Sequence, residues 1–233
     1  MTLRIEVCSD AAAVAEQASE LVAERAQAAV SDHRRFTFAV SGGHTPWAMF
    51  KALSSRDMPW RDVTIFQVDE RVAPDGDPDR NLTHLLASLP PGAGTHIHAM
   101  PVEEPDLERA AAEYARSMPA AFDLVHLGLG PDGHTASLVP GDPVLDVIDR
   151  DVAVTGVYNG RRRMTLTYAV LERAPSVLWL VTGADKASML PRLRAGDPSI
   201  PAGRVSTANA TVIADEAAAS QLAGGAREAD LGS

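Results

Sequence analysis

Short apolar runs rich in β-branched and aromatic residues alternate along this chain with longer alanine-rich stretches, and that alternation restricts the fold more than any other feature. "LRIEV" (Leu3–Val7), "RFTFAV" (Arg35–Val40), "VTIFQVD" (Val63–Asp69), "FDLVHLGL" (Phe122–Leu129) and "SVLWLVT" (Ser176–Thr182) read as strands, as do the shorter "THIHAM", "DVAVTGV" and "RMTLTY". Between the first two lies "DAAAVAEQASELVAERAQAAV", which sets Val14, Ala18, Leu21, Val22 and Ala29 along one helical face behind a capping Asp10. Further helices are predicted in "WAMFKAL", over Leu82–Leu89, in "DLERAAAEYARSM" and in "ADKASMLPRL", where Pro191 should end or kink the helix. A last helix starts at Asp215 and is expected to fray after Gly224. Strand–helix alternation of this kind predicts an α/β fold with a doubly wound, largely parallel, Rossmann-like sheet. No repeat or linker interrupts it, so one domain is expected over residues 1–233.

Charge narrows the partners. With 31 acidic against 21 basic side chains, the formal net charge is −10. That disfavours a general nucleic-acid or anionic-membrane binder, but leaves room for a small anion held by local arginines or backbone N–H groups. The single cysteine, Cys8, cannot form an internal disulfide, no Cys/His set has metal-site spacing, and no run approaches the ~18 apolar residues of a membrane span. A cytoplasmic protein without metal or cofactor is expected.

In open α/β sheets ligands sit beyond the carboxyl ends of the strands. That rule selects four loops: Ser41–Pro46, Asp69–Asn81, Gly128–Ser137 and Thr182–Lys186. "VSGGHTP" offers Ser41, Gly42 and Gly43 as a backbone cradle for an anion, with Thr45 as cap and further phosphate-binding candidate and Pro46 as first residue of the next helix; a tight turn without ligand fits equally. "QVDER" places Asp69, Glu70 and Arg71 at a strand end, either as a solvated terminus or with Asp69 on sugar hydroxyls and Arg71 on developing negative charge.

"GLGPDGHTAS" has glycines at 128, 130 and 133, which is not the dinucleotide spacing. It presents His134 at a predicted helix start, with Asp132 two residues earlier as a substrate-binding candidate. A helix N-terminus disfavours imidazolium, so a neutral, base-competent His134 is expected there; a surface turn histidine is the plainer account. In "GRRRMTLTY", alternation sends Arg163 and Thr165 to one side and Met164 and Leu166 to the other, either as an anion-binding arginine face or as a charged edge strand. Lys186 is one of only two lysines, the other being Lys51, and sits at a strand end suited to phosphate or to solvent. His126, inside a strand, reads as a core histidine, while His44 and His84 are loop or helix-start residues able to line a site.

Taken in order, these segments resemble the 6-phosphogluconolactonase family, which shares its fold with glucosamine-6-phosphate isomerases. The resemblance rests on "FAVSGGHTPWAMF", "VDERVAPDGDPDRN", "FDLVHLGLGPDGHTASLVPG", "RRRMTLTY", "VTGADKASML" and "IPAGRV…ADEAAASQL", and runs from about Arg35 to Leu222. It implies hydrolysis of 6-phosphoglucono-1,5-lactone in the oxidative pentose phosphate route, without metal or cofactor, by a monomer or small homo-oligomer acting on a small phosphosugar lactone. By position it implies His134 as general base, Asp69 and Arg71 at the reacting end, Arg163 and Lys186 on phosphate, and Ser41–Gly43 as the cradle. His44 and Arg80 depart from the family, which often has serine at both places. A sugar-phosphate isomerase or deaminase is the alternative enzyme; its corresponding loop carries a glutamate soon after the histidine, whereas "TASLVPG" holds no carboxylate before Asp142. A non-enzymatic phosphosugar-binding protein, a sensing regulator, is a further alternative; it would need a DNA-binding module, which a first strand starting by Leu3 and an acidic charge make unexpected.

Overall fold

A computed structural model describes residues 3–222. Seven strands form one parallel sheet: β1 (Arg4–Cys8), β2 (Phe36–Val40), β3 (Val63–Gln67), β5 (His96–His98), β6 (Leu124–Gly128), β9 (Val177–Val181) and β10 (Ala210–Asp215). Their order is β1-β10-β9-β6-β2-β3-β5, with every pairing parallel. From β2 the chain moves outward through β3 to β5, then returns to lay β6 against the other side of β2. The order therefore reverses between β2 and β6, which is where a doubly wound sheet opens a crevice at its carboxyl edge.

The central strands are apolar without interruption because both faces are covered. Phe36, Phe38 and Val40 of β2 pack with Leu124, Leu178, Leu180 and Ile213 beneath helix α1 (Ala11–His33) and helix α2 (His44–Leu53). On the other face Ala39, Phe66, Val125, Leu127 and Trp179 join Tyr114 of α4 (Leu107–Ser117). Asp10 caps α1 by accepting from the Ala13 N–H at 2.9 Å, as its sequence predicts.

A second sheet was not foreseen. The third strand was expected to run through Asp69, but β3 stops at Gln67 and residues Asp69–Arg71 form a new strand, β4. Val68 is the joint: its N–H donates to Val40 O of the parallel sheet, and its carbonyl accepts from Leu166 N–H. From there β4 runs antiparallel to β8 (Arg163–Leu166), which pairs with β7 (Val152–Val154). The register sets Asp69 opposite Thr165 and Arg71 opposite Arg163.

Three helical expectations need correction. No helix follows Gly128: the segment is a series of turns, and Gly133 (φ 83°) and Ala136 (φ 51°) put left-handed residues where a helix would have to run. Pro191 does not end a helix over 184–193. Ala184–Lys186 is a single 3₁₀ turn, and Pro191 lies in the first turn of α6 (Leu190–Arg194), where its missing N–H costs no hydrogen bond. Helix α2 starts at His44, because Gly43 (φ 135°) turns the chain into the helix earlier than the expected cap at Thr45. After the remaining short helices α3 (Asn81–Ser88) and α5 (Tyr168–Leu171), the last helix, α7 (Glu216–Ala219), is a single turn rather than the expected helix reaching Gly224, and residues 220–222 are turns and bends. The expected fraying after Gly224 lies outside the described residues.

His126 is a core histidine. Its ring is buried in β6, Nδ1 accepts from the Ser41 N–H at 3.3 Å, and Nε2 has no partner among the described residues. Burial pushes its pKa down to about 3. The neutral ring thus contributes its full stability above the unfolded-state value of about 6.5, and this contribution is lost as the pH falls towards about 3. Urea unfolding of the wild type and of His126→Gln at a series of pH values should show the wild type losing about 1.4 kcal/mol more per pH unit below about pH 6. Parallel pH profiles would remove His126 as the source of acid sensitivity.

Candidate active site

The four loops chosen from the sequence converge over the crevice between β2 and β6. They line two adjoining cavities that share Arg71, Asn81 and Arg163. The inner one, of about 180 Å³, is walled by Ser41, Gly42, Asp69, His134 and Lys186 together with the shared residues. The outer one, of about 310 Å³, reaches Gly43, His44, His84 and Arg161.

His134 is held by its own loop. Asp132 Oδ1 lies 2.5 Å from His134 Nδ1 and accepts the His134 backbone N–H at 3.1 Å. A carboxylate can only accept here, so Nδ1 carries the proton and Nε2 is the nitrogen left for chemistry. Tyr158 OH donates to the other oxygen, Oδ2, at 3.2 Å. Burial opposes ionisation of Asp132, but the His134 backbone N–H, the His134 ring and the Tyr158 hydroxyl together hold its carboxyl below the usual range. Asp132, expected to bind substrate, lines neither cavity; its oxygens are committed to His134 and Tyr158. The expected control of His134 by a helix N-terminus is likewise replaced by Asp132, because no helix starts there.

The glycines around His134 are explained by contact. A Cβ on Gly130 would lie 2.1 Å from His134 Nδ1, so the imidazole rests on a bare backbone. Gly130 N–H donates to His134 O at 2.8 Å, closing the turn. Gly42 has the same relation to Asn81, whose Oδ1 a Cβ would meet at 1.9 Å.

Asp69, Arg71 and Arg163 come from the second sheet. In the β4–β8 register Arg71 and Arg163 stand directly opposite, an arrangement that costs free energy unless their charge is answered. Arg71 Nη1 donates to Asn81 Oδ1, and Asn81 Nδ2 donates to Asp69 O at 2.9 Å. Arg163 is buried, with Nη1 4.0 Å from Asp69 Oδ2 and Nε without a partner among the described residues. Burial lowers the pKa of Arg163; Asp69 opposes that shift and Arg71 adds to it. Asp69 itself accepts Ser137 Oγ at 2.6 Å, so it serves both the cavity wall and the loop that follows His134.

Lys186 lines the inner cavity beside its neighbour Asp185, with which it pairs. Ser41 Oγ is buried without a partner among the described residues, on the same wall. Thr45, expected in the binding set, lines neither cavity: its hydroxyl lies 2.8 Å from Thr182 Oγ1, tying α2 to the end of β9. The two unusual residues separate. His44 lines the outer cavity, whereas Arg80 is buried, paired with the buried Glu70 and the exposed Glu103, and is structural. Among the described residues there is no cluster of three or more His, Cys, Asp or Glu side chains able to hold a metal, and no helix long and apolar enough to cross a membrane.

Comparison with known proteins fixes the family. The family described as glucosamine-6-phosphate isomerases/6-phosphogluconolactonase matches residues 9–214. The chain belongs to this family. The 6-phosphogluconolactonases of Synechocystis sp. and Rattus norvegicus are 36% and 34% identical to it over 205 and 244 residues. These alignments cover 82% and 94% of this chain, and 84% and 93% of the relatives. The solved 6-phosphogluconolactonase of Thermotoga maritima superposes with a TM-score of 0.80 at 26% identity, covering 92% of this chain and 99% of that one. A monomeric glucosamine-6-phosphate deaminase superposes with a TM-score of 0.82 at 17% identity, covering 94% of this chain and 100% of that one, a likeness of fold alone. The α/β class read from the sequence is thus the fold of the family.

Sequence reading found the loops but missed Asn81, Ser137 and Tyr158, the polar residues that hold Arg71, Asp69 and Asp132. Asn81 had a signal, since it opens the predicted helix directly after the acidic loop. Tyr158 had none.

Gly130→Ala tests the bare backbone beneath the imidazole. Gly130 has an ordinary φ, so alanine strains only the ring. If the ring takes part in a reaction, displacing His134 should lower kcat by at least about tenfold with little change in thermal midpoint, since small misplacements of a reacting group are costly; wild-type turnover would show that the ring position is not critical.

Proposed function

We propose that this chain hydrolyses 6-phospho-D-glucono-1,5-lactone to 6-phospho-D-gluconate, with His134 as general base, and so serves the oxidative pentose phosphate route. The observation that carries this reading is the Asp132–His134 pair set on an inner cavity whose other charged walls are Asp69, Arg71, Arg163 and Lys186, in a chain whose curated relatives are 6-phosphogluconolactonases.

The chemistry follows from those groups. Asp132 fixes the Nδ1–H tautomer, and His134 Nε2 takes a proton from water as its oxygen adds to the lactone carbonyl carbon. The carbonyl oxygen becomes an oxyanion, and Arg71 supplies positive charge for it on the wall common to both cavities. Collapse breaks the bond to the ring oxygen, which takes the proton back from the imidazolium. The products are a free carboxylic acid, which ionises, and a hydroxyl, so water is the only co-reactant. Arg163 and Lys186 hold the 6-phosphate against the backbone of Ser41–Gly43. A buried guanidinium whose Nε has no partner among the described residues gains most when an anion answers its charge.

A deaminase of the same fold needs an additional acid–base group beside the histidine. The first carboxylate after His134 is Asp142, and it is spent on the Val144 and Gly156 N–H groups, at 2.9 Å each. That favours hydrolysis.

With freshly generated lactone, His134→Ala should lose at least about 10²-fold in kcat; wild-type turnover would sink the base assignment. Arg163→Ala should chiefly raise KM, and an unchanged KM would remove it from the phosphate site. Ammonia release from glucosamine 6-phosphate by the wild-type protein would move the assignment to the deaminase branch.

A further inference from the structure

Tyr158 touches three parts of the site at once. Its hydroxyl donates to Asp132 Oδ2, its ring meets the His134 imidazole edge-on with centroids 5.6 Å apart, and the Arg163 guanidinium carbon lies 5.1 Å from its ring centroid. It is half-buried, yet it lies outside the parallel sheet and outside the loops that the strand-end rule selects. It opens a two-residue hairpin closed by a bridge to Arg161, in which Asn159 (φ 51°) and Gly160 (φ 79°) give the twist of a tight turn.

The far end of that hairpin is anchored. Arg161 Nε donates to Asp79 Oδ2 at 3.0 Å and Nη2 to Asp77 Oδ2 at 3.1 Å, both on the loop that follows β4. Asn159 and Arg161 line the outer cavity. The hairpin thus straps the mouth of the site, with Arg161 fixed to one wall and Tyr158 to the other. Burial and the adjacent Asp132 carboxylate raise the Tyr158 phenol, which keeps it a donor.

We infer that Tyr158 is a positioning residue: through its hydroxyl it orients the carboxylate that orients the base, and through its ring it seats the arginine that holds the anion. This rests on the lactonase reading with His134 as base. A carboxylate with one oxygen on the imidazole can rotate about its terminal torsion; the Tyr158 hydroxyl on the other oxygen removes that freedom. The ring face beneath Arg163 gives a buried, partly unpaired guanidinium a favourable contact without neutralising it, so its charge stays available to the ligand.

The two halves make different kinetic demands. Tyr158→Phe removes only the hydroxyl and should lower kcat about three- to tenfold while KM stays within about twofold. In an Asp132→Ala background the same substitution should change kcat by less than about twofold, because the group it acts through is gone. Tyr158→Ala should additionally raise KM severalfold by unseating Arg163. Wild-type kcat for Tyr158→Phe, or an equal loss with and without Asp132, overturns the positioning role of the hydroxyl; an unchanged KM for Tyr158→Ala overturns that of the ring. Thermal midpoints measured alongside identify any loss that comes from unfolding. The His134→Ala variant separates the two levels: its retained activity would defeat the base assignment, whereas its inactivity beside an unaffected Tyr158→Phe would defeat only the role of Tyr158.

Discussion

A buried carboxylate organises this molecule. Glu70 is fully enclosed, and its two oxygens accept four hydrogen bonds of 2.8 Å, from the N–H groups of Arg71, Asn81 and Leu82 and from Gln67 Nε2. Arg80 adds a guanidinium at 3.6 Å. An unpaired carboxylate in such a place would cost several kcal/mol. Here each lone pair is answered, and two donors are free N–H groups at the start of α3, where the helix favours negative charge. The arrangement fixes where α3 begins. That places Asn81, and Asn81 in turn holds Arg71 and fills the space left by Gly42. The cavity wall that carries Arg71 is therefore built on an anion of the protein's own, set one layer deeper.

The second constraint is the change of sheet at Val68. A strand that continued in the parallel sheet would not bring Asp69 and Arg71 beside β8. By leaving it, the chain sends Glu70 inward while Asp69 and Arg71 face the cavity, opposite Thr165 and Arg163. Alternation along two short antiparallel strands thus does for the arginines what the crevice between β2 and β6 does for the Ser41 and His134 loops.

How much of this the sequence revealed follows from the range of the forces involved. The parallel strands were legible because burial on both faces leaves long apolar runs; the strand-end rule then led to Ser41–Gly43, Asp69, Arg71, His134 and Lys186, and alternation in "GRRRMTLTY" to Arg163, all of which line the cavities. Local rules failed where a distant partner decides. "DER" left a solvated terminus open as one reading, because nothing nearby signals that Glu70 will meet the start of a helix eleven and twelve residues on. "GPDGHTAS" looked like a helix start, but Gly133 and Ala136 adopt left-handed conformations, and alanine gives no warning of that. Thr45 read as a cap, and a threonine at the end of β9 took its hydroxyl instead.

The error over His134 bears on mechanism. A helix N-terminus would hold the ring neutral throughout, which suits the moment before attack and opposes the moment after it, when the ring carries the proton. Asp132 acts differently: it decides which nitrogen is free beforehand and, in the proposed mechanism, would stabilise the charge that forms on the ring. A base that must take a proton and return it to the leaving oxygen within one turnover is served better by the second device. The same fold in a glucosamine-6-phosphate deaminase shows that the sheet does not choose the reaction. The choice lies in what stands around the histidine. In this chain that is a carboxylate committed to the ring, a tyrosine committed to the carboxylate, and an Asp142 turned away to cap a turn, the arrangement on which the proposed hydrolysis rests.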